Sequence, residues 1–173
     1  MSRCPGCGLE LPAAAAPPAR TDGYLASPEC RALYGEVVGY EVTDPVRLAP
    51  WHQVCVDAYG AQHAGPDSRP IGVAFALNGL YLVFERGFTG IQAREAHGYL
   101  ANTVASWPRF DRPGSAGGVT VFDVAMAGSV DEHIAQVRRW GRAVWDAWRH
   151  VQAEVAEMTD RQLRGWRPRP ARD

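Results

Sequence analysis

Three cysteines near the start constrain this chain more than any other feature. Cys4-Pro5-Gly6-Cys7-Gly8 is answered by Ser27-Pro28-Glu29-Cys30. Structural zinc sites take four ligands in a tetrahedron, mostly thiolates and imidazoles. The Cys4-x-x-Cys7 spacing is that of a zinc knuckle, in which Pro5 and Gly6 shape the turn and backbone N–H groups face the sulfurs. Cys30 falls in the first turn of a helix, where the dipole and free N–H groups favour a thiolate. Cys4, Cys7 and Cys30 are therefore expected to ligate metal, and Zn2+ is the expected cofactor. The opposing reading is unligated or redox cysteines. A thioredoxin-like pair opens a helix after a strand in a βαβ unit, and no such unit is visible.

The chain has 173 residues, enough for one domain with a real core. Net charge is -1, which favours neither nucleic acid nor an anionic membrane as a partner. All 18 basic residues are Arg, so no Schiff-base or P-loop lysine exists. Four cysteines and no signal-type apolar run at the start point to reduced or metal-bound thiols and a cytoplasmic protein. The most apolar stretch, Ile71 to Phe84, is too short to span a bilayer.

Residues 1–26 are rich in Pro, Gly and Ala and read as an irregular arm that needs a metal in place of a core. Ser27 as N-cap and Pro28 at the first helical position open a first helix running to about residue 40. Asp44-Pro45 opens a second, to His63, with Pro50 inside it. A third runs from near Ser68 to Phe84 and is apolar nearly all round, as a central helix would be. A fourth spans roughly 90–104. Val119 to Val124 suits a short strand, and residues 129–163 form one long helix carrying the stripe Ile134, Val137, Trp140, Val144, Trp148, Val151 and Val155. The expected fold is mainly α: an antiparallel bundle of four to five helices over residues 1–164, with the arm clipped on by zinc and a flexible tail at 165–173.

The fourth ligand is sought by geometry. A turn near residue 43 makes the first two helices antiparallel, so Cys30 should face roughly residue 56. His52 and Cys55 are the nearest candidates, three residues apart on one face, and His63 lies further along. His52 is favoured, because Cys55 sits in the apolar run Val54-Cys55-Val56. Cys55 and His63 stay open as alternatives.

His52, Tyr59 and His63 share one stripe of the second helix, and His133 extends the apolar stripe of the last. With Asp57 as an orienting carboxylate, these imidazoles suggest a catalytic or second metal site inside the bundle, with Asp57, His63 and His133 as catalytic candidates. Asp57 points about 140° away from His52 on the helical wheel, which leaves it to contact a different helix or to bond Arg or Trp groups. Against this stands the plain reading of satisfied core polar groups. His97 and His150 read as surface residues, and Trp140, Trp145 and Trp148 as core aromatics.

These residues together resemble a bacterial family of uncharacterised proteins that share a domain of unknown function. The matching pieces are Cys4-Pro5-Gly6-Cys7-Gly8, Ser27-Pro28-Glu29-Cys30, His52-Gln53, Val56-Asp57-Ala58-Tyr59, Gln62-His63, and His133 with Trp140 and Trp145. The resemblance implies no activity. It implies that His52, Asp57, His63 and His133 belong to one pattern, in which a hydroxyl residue is usual at the position of Cys55. The expected function is that of a small soluble zinc-binding protein with a structural metal and a role in binding or regulation, its protein or small-molecule partner unknown. The alternative is a metal-dependent hydrolase or transferase built on the His/Asp cluster.

Overall fold

The computed structural model describes residues 1–13 and 23–169. Most of the Ala13–Ala16 tract, Pro17, Pro18 and the end of the tail from residue 170 lie outside the described residues. The fold is mainly helical. Its one sheet among the described residues is a small ribbon, β1 (Ser2–Arg3) antiparallel to β2 (Glu10–Leu11), with Ser2 opposite Leu11. The ribbon is closed by the cysteine turn. Cys4 N–H donates to Leu9 O at 2.8 Å, Gly8 N–H donates to Cys4 O at 2.9 Å, and Gly8 takes φ +79°, which glycine adopts without strain.

Four of the expected helices form nearly where the sequence puts them: α1 (Pro28–Glu41), α2 (Pro45–Gln62), α3 (Pro70–Phe84) and α4 (Gly90–Thr103). Each of the first three begins with Pro at the start of the helix, where a missing N–H costs nothing. Ser27, Asp44 and Thr89 cap α1, α2 and α4 by accepting from the N–H of Cys30, Arg47 and Gln92. The hub is α2 rather than α3: it packs on α1, α3, α4 and α6 (Val130–Ala147). From Asp57 to Gln62 every residue of α2 is buried, and Ala58, Gly60 and Ala61 allow neighbours close on all sides.

Two expectations fail. Val119 to Val124 is not a strand; Val121–Ala125 is a short helix, α5. Its cause is a capping box: Phe122 N–H donates to Thr120 Oγ1 at 3.3 Å, and Thr120 N–H to Asp123 Oδ2 at 2.8 Å. The run of β-branched residues disguises that signal. The long last helix is two, α6 and α7 (Gln152–Gln162), separated by a turn at residues 148–151. The turn contains no Pro or Gly. It is held by Trp148 and Val151 N–H bonds three residues back, and Gln152 Nε2 donates to Trp145 O at 2.9 Å. The apolar stripe nevertheless continues through the turn, with Trp140, Val144, Trp148 and Val155 all buried. In the described part of the tail, Trp166 lies within 6.2 Å of both Phe88 and Tyr99, centroid to centroid.

One polar side chain locks the core. Gln62 is buried; its Oε1 accepts from Trp140 Nε1 at 2.9 Å, and its Nε2 donates to Ala116 O and Val119 O at 2.9 and 2.8 Å. Replacing it with an apolar residue strands two buried groups and one part-buried carbonyl at once. Gln62→Leu is expected to lower unfolding free energy by about 2–4 kcal/mol, read as a lower urea midpoint at unchanged slope. A midpoint equal to wild type would show that Gln62 is not a lock.

Candidate metal centre

The centre forms where three segments meet: the β1–β2 turn, the first turn of α1 and His63, the residue that caps the C-terminal end of α2. Cys4, Cys7, Cys30 and His63 each present one ligand atom, and all four atoms lie within 4.8 Å of one another. Cys4, Cys30 and His63 are buried, and Cys7 is half-buried. Cys7 Sγ lies 3.8 Å from Cys30 Sγ, and Cys30 Sγ lies 3.4 Å from His63 Nε2. Two sulfurs at about 2.3 Å from a tetrahedral ion stand about 3.8 Å apart, and a sulfur and an imidazole nitrogen about 3.5 Å apart. The donor set therefore fits a metal in both chemistry and spacing.

His63 is aimed by its other nitrogen. Nδ1 lies 2.9 Å from Tyr59 O, so the N–H sits there and the Nε2 lone pair faces the sulfurs. The ring rests on Tyr59, centroids 4.2 Å apart. The arm is tied to the same corner. Leu25 N–H donates to His63 O at 2.8 Å, and the Cys4 thiol lies 3.7 Å from Leu25 O. Arg112 reaches across to donate to Gly6 O. Hydrogen bonds with Cys30 and Cys7 push the Cys4 thiol down, while Cys30 is pushed up by its bonds to Cys4 and Cys7. Burial pulls the His63 imidazole down, but its bonds with Cys4 and Cys7 outweigh that and push it up to about 9. A proton on Nε2 and a divalent cation compete for one position.

His52 is not in this group, and the expectation that it supplies the fourth ligand is corrected to His63. The stripe is right but its register is not. Cys30 meets His63, Tyr34 stacks on Tyr59 at 3.8 Å, and Glu41 meets His52. The midpoint of every pair falls between residues 46 and 47, not at residue 43. The first turns of α2 run past the end of α1, so each partner lies further along α2 than an even hairpin would put it. Cys55 is buried beside Glu41. Burial first, then the Glu41 charge and hydrogen bond, push its thiol well up.

Nor do His52, Asp57, His63 and His133 form one site. His63 belongs to the thiols. His52 Nδ1 and His133 Nε2 lie 2.7 and 3.0 Å from the two oxygens of Glu41. Glu41 is the residue that sequence reasoning missed. Its signal was present: an acid on the stripe Cys30, Tyr34, Val37, whose members face inward. Asp57 faces α3 and α4 instead. Its Oδ1 accepts from Gln53 Nε2 at 2.9 Å, and its Oδ2 packs over Gly79, where a Cβ would come within 1.8 Å of it. His97, expected at the surface, is buried on the same side and stacks on Phe75, centroids 4.7 Å apart. The reason is that α4 packs against both α2 and α3. His150 is exposed, as expected.

A mainly helical protein with a Cys3His cluster fit for a metal ion is thus defined. The chain belongs to the family of unknown function DUF5946, whose model matches residues 2–149. No curated protein and no solved structure matches it. Among the described residues, no helix is long and apolar enough to cross a membrane.

Two outcomes are expected here. A Cβ on Gly6 would come within 2.2 Å of Leu25 O and 2.4 Å of the His63 ring. Gly6→Ala should therefore weaken metal binding about tenfold or more in chelator competition, and an unchanged affinity would show that the turn tolerates the methyl. The second concerns Asp57, whose carboxyl burial pushes well above the usual range, against the Gln53 bond. The folded state then holds a proton that the unfolded chain releases, so this group costs stability as pH rises past about 3.9. Asp57→Asn has no such proton to lose. Its stability relative to wild type should grow between pH 5 and 8 by urea unfolding, and a parallel pH profile would refute the assignment.

Proposed function

We propose that the protein is a zinc-binding helical protein whose metal is structural, with a role in binding or regulation. The observation that carries this reading is the match of the Cys7–Cys30 and Cys30–His63 spacings to the edges of a tetrahedral zinc site. Four protein donors complete such a tetrahedron, and a closed set of four with three members buried is the pattern of a structural rather than a catalytic zinc. Cys4, Cys7, Cys30 and His63 would hold the ion. Bound there, zinc supplies charge neutralisation for the thiolates and joins the arm, residues 1–26, to the α1–α2 hairpin. His63 keeps its N–H on the Tyr59 carbonyl, and Leu25 and Arg112 hold the arm's backbone in place. A site of free thiols supports a reducing, cytoplasmic location.

Elemental analysis of the purified chain tests this. About one zinc per chain is expected, lost in Cys4→Ser and His63→Ala and retained in His52→Ala. Chelation should raise hydrogen exchange across residues 1–30 first, because that segment has little core of its own. A His63→Ala protein that keeps its zinc, or a wild type that takes up none, would overturn the proposal.

A further inference from the structure

The second polar cluster lies at the other end of the α1–α2 stripe. Glu41 comes from the end of α1, His52 from α2 and His133 from the first turn of α6. The Glu41 side chain is wholly buried, that of His133 is 4% exposed and that of His52 31% exposed. Both carboxylate oxygens are taken by imidazole nitrogens, at 2.7 and 3.0 Å. Cys55, also on α2, is wholly buried. Among the described residues no arginine pairs with Glu41; Arg47, at the start of α2, pairs with Asp131 at 2.5 Å instead.

A buried carboxyl either keeps its proton, as Asp57 does, or needs a positive charge beside it. Here only an imidazolium or a bound cation can provide one. Two imidazoles and one carboxylate form a donor set that suits divalent iron, manganese, cobalt, nickel or zinc and leaves positions open. Each ring nitrogen already lies close to its own oxygen of Glu41, at 2.7 and 3.0 Å, but the three donors are not gathered within 4.8 Å of one another as those of the thiol centre are. We propose that Glu41, His52 and His133 form a second metal site, for a divalent transition ion bound by nitrogen and oxygen donors.

The site differs from the thiol centre in two ways that set its behaviour. Its ring nitrogens address different oxygens of the carboxylate, so binding requires the two rings to close on one ion. The protons between the rings and Glu41 must leave to solvent or move to the outer ring nitrogens. Both requirements make the ion weaker-bound and exchangeable. The route in is open, because His52 reaches solvent and His133 lines a cavity of about 180 Å3 with Glu36, Val37, Tyr40 and Val124.

Zinc-loaded full-length protein, equilibrated with Co2+ and desalted, provides the test. The expected result is one Co2+ per chain in addition to the zinc, with ligand-field bands and no thiolate charge-transfer absorption. Glu41→Gln and His52→Ala should lose that Co2+ while keeping the zinc. Failure to take up Co2+, uptake only by displacement of zinc, or uptake undiminished in both variants would overturn the proposal. If Glu41→Gln does not fold, His52→Ala decides alone, since its ring is partly exposed and the thiol centre does not depend on it.

Discussion

The packing of α1 on α2 is the interaction on which the rest depends. One stripe of each helix, Cys30, Tyr34 and Glu41 against His63, Tyr59 and His52, meets in antiparallel order. The apolar middle is a pair of stacked tyrosines, and both ends are polar. At one end the helices receive the arm, at the other they receive α6 through His133. Shifting the register by one turn would separate all three pairs together. The hairpin therefore sets the metal centre, the Glu41 cluster and the seat of α6 at once.

Much of this was legible in the chain. Ser-Pro and Asp-Pro announced the helix starts, and three-residue cysteine spacing announced the turn. The helical wheel put His52, Tyr59 and His63 on one face and turned Asp57 to another, and both hold. What the wheel cannot supply is position along the axis. That depends on how far α2 overshoots α1 before they touch, which is decided by packing against α3, α4 and α6 rather than by the connecting turn. Hence His52 was favoured where His63 stands.

The other differences have local causes. Thr120 and Asp123 cap a short helix inside a run that alternation would read as strand, so side-chain hydrogen bonds outweigh β-propensity. The break between α6 and α7 is concealed because the apolar stripe runs on through it. The Trp148 and Val151 N–H bonds three residues back and the Gln152 bond to the Trp145 carbonyl mark the place where the helix stops. His97 reads as a surface residue in the sequence. It is buried because α4 rolls that side against α2 and α3.

Gly6 sits where no side chain fits, pressed between the Leu25 carbonyl and the His63 ring. That seat has walls from residue 25 and from the very end of α2. It does not exist until the chain has been made past residue 63 and the first two helices have closed. The Cys4–Cys7 turn, made before either helix, is therefore among the last parts of this region to find its place. For that interval the thiols of Cys4 and Cys7 are without the partners that stand around them in the finished fold.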